Sequence, residues 1–228
     1  PSDVVLSGAD YHHTETLLPV ALRSYKESYW KKKTFAPSSL LFYVGFDKKL
    51  SGILHHMLFF DTDFEAHASE IYDDPQWPAA PLFYASFTSL TDPTVAPEGS
   101  ESGFFLIPLA PDLEDSDTLR EKYFDMILTR LEKHTHQSLK EFISFKESYC
   151  LNDFKQDYNS YKGNAYGMAN TLLQTAFLRP KIMSKKVKNL YFTGQLTVPG
   201  PGVPPSLISG KIAAELISKN THQKKVPA

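Results

Sequence analysis

Paired histidines, one cysteine and a set of closely spaced glycines are the residues of this sequence whose types and spacing suggest chemistry. His12-His13, His55-His56 and His134-x-His136 could each offer two imidazoles to a metal. Neighbouring residues on a strand point to opposite faces, and none of the pairs has the spacing that sets two imidazoles on one helix face. No cysteine cluster and no His-Glu-x-x-His segment completes a site, so no metal is expected. A serine nucleophile would need a Gly-x-Ser-x-Gly elbow, which is absent. Cys150 follows Tyr149 in an apparent strand, where burial as a small hydrophobe is expected rather than reactivity. That leaves Gly194, Gly200 and Gly202, whose missing Cβ atoms let backbone come close to a ligand.

The elements that must position these glycines lie between Val187 and Ser218. Leu190-Tyr191-Phe192 is a short apolar run closed by Gly194, the pattern of a buried strand in a parallel sheet. Leu207, Ile208, Ile212, Ala213, Leu216 and Ile217 recur at helical spacing, with Ser209, Gly210 and Ala214 among them, which predicts a helix lying close against that sheet. A helix N-terminus behind a glycine loop, at the carboxyl end of a strand, suits an anionic or strongly polar group of a cofactor. Val203 would supply an N–H there, and Pro204 suits the first helical turn. An ordinary βα unit with a tight turn fits the same residues equally well.

With 228 residues and 42% hydrophobic content, the chain can bury a sizeable core in one or two domains. A formal net charge of -2 gives no basic field for nucleic acid. One cysteine excludes an internal disulfide framework and fits a reducing compartment. No apolar run approaches the ~18 residues that span a bilayer, and no signal peptide stands at the visible N-terminus.

In chain order, Asp3 to Ala9 reads as a short strand, and Thr14 or Glu15 opens a short helix that stops near Pro19. Asp10 is either the N-cap of that helix or a residue lining a cofactor site. Leu22, Tyr25, Tyr29 and Trp30, interleaved with lysines, predict an amphipathic helix over 21–33. Such a helix either packs on the core or lies on an anionic membrane. Strands are expected over 38–46, 55–60, 82–89, 103–109 and 141–150, with long connections that imply a mainly antiparallel sheet. Helices are expected over 64–72, capped by Asp63, from Asp115, Ser116 or Asp117 to about His134, and over 151–158. The apolar run 171–178 stops at Arg179-Pro180.

Asn189 to Gly194, Pro199-Gly200-Pro201-Gly202-Val203-Pro204 and Ser209-Gly210-Lys211 resemble the C-terminal flavin-binding signature of bacterial and fungal phytoene desaturases. These are FAD-dependent carotenoid desaturases of the amine-oxidase-like flavoprotein superfamily. Ser7 to Thr14, Phe60 to Phe64 and Ala96 to Gly99 resemble further segments of the same family, so the likeness runs along essentially the whole chain. The resemblance implies an α/β fold with α+β character, in which an incomplete Rossmann-like FAD-binding domain joins a mainly antiparallel-sheet substrate domain with covering helices. On that plan residues 1–20 and 186–220 belong to the FAD-binding domain, 21–150 to the substrate domain, 151–185 to a helical connection and 221–228 to a frayed tail. The Gly-x-Gly-x-x-Gly loop that holds the adenosine pyrophosphate is missing, since Gly163-x-x-x-Gly167 has the wrong spacing. The chain is therefore expected to be a C-terminal portion of a longer desaturase, inactive alone.

The resemblance implies flavin contacts at Gly194, Gln195, Gly200, Gly202, Val203 and Pro204, and assigns no catalytic acid or base. The sequence departs from many relatives over Gln195 to Val198 and at Pro205, which bears on substrate choice and flavin orientation. The implied substrate is a carotenoid such as phytoene, with oxygen or a quinone taking the electrons. The implied location is cytoplasmic, peripheral to the inner face of the membrane. A related carotene isomerase or retinol-saturase-like oxidoreductase, or a non-catalytic module that binds a lipid or a partner, are the alternatives.

Overall fold

The computed structural model describes residues 1–225, and the last part of the expected tail, 226–228, lies outside them. The chain forms two compact units, one from residues 1–36 together with the chain from Lys155 onward, the other from Pro37–Phe154.

The Pro37–Phe154 unit is built on a five-stranded antiparallel sheet. Its strands are β2 (Ser38–Phe46), β3 (His56–Phe59), β4 (Phe83–Ser86), β5 (Glu101–Leu109) and β6 (Ile143–Tyr149), in the order β3-β4-β5-β2-β6. In β2 and β5 alternate residues are buried, so Leu40, Phe42, Val44, Phe105 and Ile107 make one apolar face. Helix α4 (Asp117–Thr135) contributes Phe124, Ile127, Leu128 and Leu131 to the same core, with the Phe42 and Phe124 rings 5.0 Å apart. Ser116 caps α4 by accepting the Leu119 N–H, and the chain leaves through His136 in the left-handed region at φ 55°. Helix α3 (Phe64–Tyr72) is capped by Asp63, as its sequence predicts. Buried His67 on α3 places Nε2 3.0 Å from the Pro108 carbonyl, while its Nδ1 accepts the Leu82 N–H at 3.0 Å. Cys150 is fully buried, and burial pushes its thiol up to about 12.

The other unit holds a two-stranded parallel sheet, β1 (Val5–Ser7) beside β7 (Leu190–Phe192), helices α1 (Tyr11–Thr16) and α2 (Glu27–Lys31), and the long α6 (Val203–Lys225). Its core is aromatic: Tyr11 stacks on Phe192 at 3.6 Å, with Tyr25, Trp30 and Phe35 in the same cluster. Helix α5 (Leu151–Tyr158) runs across the boundary of the two units.

Four expectations need correction. The first helix starts at Tyr11 rather than at Thr14 or Glu15, because Asp10 takes the cap. The amphipathic helix over 21–33 does not form. A 3-10 turn covers Val20–Leu22 and only Glu27–Lys31 is α-helical. Glu15, buried among these residues, accepts the N–H groups of Ser24 (2.6 Å) and Tyr25 (3.2 Å), which holds that stretch out of a helix. Tyr25 and Trp30 are buried and Tyr29 is half-buried, while Leu22 is exposed, so most of the expected apolar stripe packs inward. Of residues 151–185, only Leu151–Tyr158 is α-helical, and Leu172–Gln174 and Ala176–Leu178 are short 3-10 turns. Finally, α6 approaches β7 through its small residues as expected, with Ser209 and Ala213 buried, but Leu207 and Ile208 of the expected apolar set are exposed. No described helix is long and apolar enough to cross a membrane.

Candidate functional site

The three loop glycines follow β7, and all lie at positive φ: Gly194 at 103°, Gly200 at 136° and Gly202 at 109°. Residues with a Cβ are strained in that region, so the loop's path requires glycine there. Ser209 ties strand to helix: its Oγ accepts the Gly194 N–H at 2.8 Å, lies 2.7 Å from Thr193 Oγ1, and donates to the Ser206 carbonyl at 2.7 Å. Thr197 closes the first bend, its N–H and Oγ1 both donating to the Gly194 carbonyl at 3.1 and 2.9 Å.

The loop is open at some positions and closed at others. A Cβ built on Gly194 would meet nothing within 4 Å, and Gly202, Val203 and Pro204 are exposed. At the start of α6, Pro204 and Pro205 have no N–H and the Ser206 N–H donates to the Gly202 carbonyl at 3.0 Å. Val203 is thus the amide that the helix N-terminus can offer outward.

Where it is closed it lies against Arg179, only 1% exposed. Its guanidinium donates to the carbonyls of Met168 (2.9 Å) and Gln195 (3.3 Å) and to Asn170 Oδ1 (2.6 Å), all uncharged acceptors. Nε has no hydrogen-bond partner and would lie 3.1 Å from a Cβ on Gly200. Burial lowers the pKa of this guanidinium from its ordinary value. Gly200 is therefore a point where backbone closes over a buried cation, and the Gln195 carbonyl is turned inward to the same group.

Of the six residues expected to contact a cofactor, Gly202, Val203 and Pro204 are exposed and Gly194 is half-buried with open space where a Cβ would lie, whereas Gly200 and the Gln195 carbonyl face Arg179. Asp10 is occupied: Oδ1 accepts the His13 N–H at 3.0 Å and Oδ2 the Tyr161 N–H at 3.2 Å. It is the N-cap of α1, and burial raises its pKa against those bonds. Sequence reasoning missed Arg179, which reads as a mere helix stop before Pro180. A signal did exist, because no acidic residue occurs anywhere from 158 to 214 to pair with it.

A second feature belongs to the Pro37–Phe154 unit. The sheet face opposite the core carries Tyr43, Leu58, Tyr84, Phe104 and Leu106, partly or fully exposed. Cross-strand pairs continue this surface from strand to strand, Leu58 with Tyr84, Tyr84 with Leu106 and Tyr43 with Phe104. The outer face of an antiparallel sheet is ordinarily polar, so an apolar one suits an apolar ligand. The three histidine pairs do not build a metal centre: no group of three potential ligands occurs among the described residues.

No protein-family model matches the chain. It is 42% identical over 95% of its length to a carotenoid 3,4-desaturase of Haloarcula japonica, of which it covers 44%. It is 31% identical over 98% of its length to a 4,4'-diapophytoene desaturase (4,4'-diaponeurosporene-forming) of Staphylococcus haemolyticus, covering 46% of that protein. The fold is similar to that of an oxidoreductase from Methanosarcina mazei, with TM-score 0.56 and 14% identity over 94% of this chain and 43% of that one. The chain thus spans a little under half the length of the curated relatives it matches, in their C-terminal half. It is a homologue of the carotenoid desaturases of phytoene-desaturase type and corresponds to a C-terminal portion of them.

Proposed function

We propose that this chain is the C-terminal portion of an FAD-dependent carotenoid desaturase, an oxidoreductase that removes two hydrogens across a C–C bond of a long polyene. One observation carries the reading. A chain 42% identical to a carotenoid 3,4-desaturase has a positive-φ Gly194 with open space where a Cβ would lie, tied by its N–H to Ser209 of α6. The groups present fit a flavin, with an approachable backbone on one side and a buried cation without a counter-charge on the other. When bound, the flavin supplies the hydride acceptor that no side chain can provide, and its electrons leave to oxygen or a quinone.

The chain's own residues bind, orient and polarise. Gly194 and Gly202 let ring and backbone meet closely, Val203 offers its N–H, and Pro204 fixes the first turn of α6 behind it. Gln195 and Gly200 hold the loop to Arg179, whose fixed positive potential favours negative charge at the loop. Residues 194–204 contain no titratable side chain, so their role is not acid or base catalysis. The apolar sheet face around Tyr43, Phe104 and Leu106 is suited to lie along a hydrocarbon chain while excluding water. Association with the inner face of the membrane that dissolves such a substrate belongs to the same reading.

The test is product analysis with phytoene and a partly desaturated carotene, using the full gene product loaded with FAD. A product with one or more additional double bonds is expected. A saturated or merely isomerised product would contradict the reading.

A further inference from the structure

At one end of the sheet of the Pro37–Phe154 unit, a cavity of about 430 Å³ is lined in part by Tyr43, Val95, Phe104 and Phe145 and by Thr88 and Ser102. Behind it lies a buried carboxylate. The Glu101 side chain has no exposure, its Oε2 has no hydrogen-bond partner among the described residues, and its Oε1 stands 3.7 Å from Nζ of the half-exposed Lys49. Asp47, exposed, is the other charged residue of the cavity wall. Three hydroxyls join the cavity to Glu101. Thr88 Oγ1 lies 3.1 Å from Ser102 Oγ, Ser102 Oγ donates to Ser89 Oγ at 3.2 Å, and Ser89 Oγ donates to Glu101 Oε1. The Ser102 N–H also donates to Ser89 Oγ, at 2.8 Å, which fixes the buried serine from a second direction.

A hydroxyl carries one proton. Ser89 gives its proton to Glu101 and Ser102 gives its own to Ser89, so the contact between Thr88 and Ser102 is made by the Thr88 proton. All three protons point inward, and the oxygen at the cavity end, Thr88 Oγ1, is left as an acceptor. A proton taken there reaches the carboxylate by three hops, each hydroxyl passing on its own. Tying turn to strand accounts for the hydroxyls, since Thr88 and Ser89 belong to the 3-10 turn Thr88–Leu90 and Ser102 to β5. It does not account for a carboxylate buried with one bare oxygen, because an uncharged carboxyl leaves such an oxygen at less cost than an anion does.

We propose that Thr88, Ser102 and Ser89 relay to Glu101 the proton that dehydrogenation of the polyene releases. The proposal rests on the desaturase reading, which supplies that proton. Two C–H bonds on neighbouring carbons break, one C=C π bond forms, and one hydrogen leaves as hydride, with its electron pair, to the flavin. The other leaves as a proton to Thr88 Oγ1, while the Thr88 proton passes to Ser102, that of Ser102 to Ser89 and that of Ser89 to Glu101 Oε1. Thr88 touches the substrate, whereas Glu101 acts through the hydroxyls and is a positioning residue.

The test mixes the full gene product, loaded with FAD, anaerobically with a partly desaturated carotene. Flavin bleaching is followed against pH in ordinary and heavy water, and the infrared carboxyl band is recorded before and after. The wild-type rate is expected to fall as pH is lowered, since a protonated Glu101 takes up no proton, and to be slower in heavy water. Glu101→Gln should bleach about a hundredfold more slowly, with a flat pH profile and without the carboxyl band that reduction brings out in the wild type. Glu101→Asp should recover part of the rate and the pH dependence. Thr88→Val, at the exposed end of the relay, should keep the wild-type circular dichroism and lose the rate and the solvent isotope effect together. Wild-type bleaching by Glu101→Gln or Thr88→Val, or a wild-type rate indifferent to pH and heavy water, overturns the relay while leaving the desaturase reading standing. A full gene product that holds flavin yet dehydrogenates no carotene sinks that reading, and the relay with it.

Discussion

The sheet of the Pro37–Phe154 unit and the glycine loop of the other unit solve opposite problems. The sheet is held by side chains: twenty buried residues form one cluster, and alternate positions of β2 and β5 fill it. The loop is held by backbone conformation and by polar groups, namely three positive-φ glycines, the Ser209 hydroxyl and the Arg179 guanidinium. The aromatic cluster near it has eight buried members. Stability should therefore respond to lost volume in the first region and to lost conformational freedom or polar partners in the second.

The largest effect expected is in the sheet. Phe42→Ala removes a fully buried ring that packs on Phe124 and should cost roughly 3–5 kcal/mol, read as a shift of the urea midpoint. An effect below about 1 kcal/mol would mean that the cluster is not close-packed.

Arg179→Met should cost about 2 kcal/mol, because the buried Met168 carbonyl and two part-buried acceptors, the Gln195 carbonyl and Asn170 Oδ1, lose their donor while an uncompensated charge is removed. Faster proteolysis within 195–202 at unchanged sheet stability would locate the damage in the loop. An equally resistant loop would break the contrast between the regions.

Gly200→Ala should cost roughly 2 kcal/mol, since its positive φ and a contact 3.1 Å from Arg179 Nε act together. Gly99→Ala is the control, with φ +80° and nothing within 4 Å, and strain alone should cost about 1 kcal/mol. Equal costs would show that packing against Arg179 adds nothing.

His67 gives a smaller, pH-dependent effect in the sheet unit. Burial lowers its pKa, and its neutral ring accepts the Leu82 N–H, a bond that protonation destroys. Its contribution should be complete above about pH 6.5, the ordinary imidazole value, and be lost as pH falls through the lowered one. Glu70 opposes the shift by favouring the charged form. Urea midpoints across that range should fall with pH in the wild type and less steeply in His67→Asn.

Cys150 has the least effect on stability but reports on it. With its thiol pushed up to about 12 by burial, it should resist iodoacetamide in the native protein and react once the sheet unit unfolds. Rapid native labelling would contradict the closed core.

Most of the sheet unit was legible because its signals are local. Asp63 and the Ser116 region announce helix starts, and the apolar run of β2 announces a strand, although it reads as buried on both faces and from Leu40 on only alternate residues are fully buried, with Tyr43 exposed. The strands over 38–46 and 103–109 and the helix over 64–72 accordingly lie where the sequence puts them, within a residue or two. The other unit depends on contacts remote in sequence. Glu15 binds the amides of Ser24 and Tyr25 and stops a helix that periodicity alone would extend through 21–33. The small residues Ser209 and Ala213 of α6 face inward as expected, yet Leu207 and Ile208, which share the helical spacing, are exposed, and pattern could not rank small against large residues there. The glycines at 194, 200 and 202 were visible as a loop, but only the three-dimensional contacts separate the open Gly194 from the Gly200 that covers a cation. Arg179 carries no motif, and its meaning appears only with its burial.

The most direct measurement is the visible absorbance spectrum of the purified full gene product, wild type beside Gly194→Val, at the position where a side chain would meet nothing of the chain itself within 4 Å. Bound flavin in the wild type, lost or greatly weakened in Gly194→Val while the circular dichroism of both stays the same, is the predicted result. A wild type that neither retains nor takes up FAD, or a variant that holds it as tightly, would contradict the assignment of the 194–204 loop to a flavin.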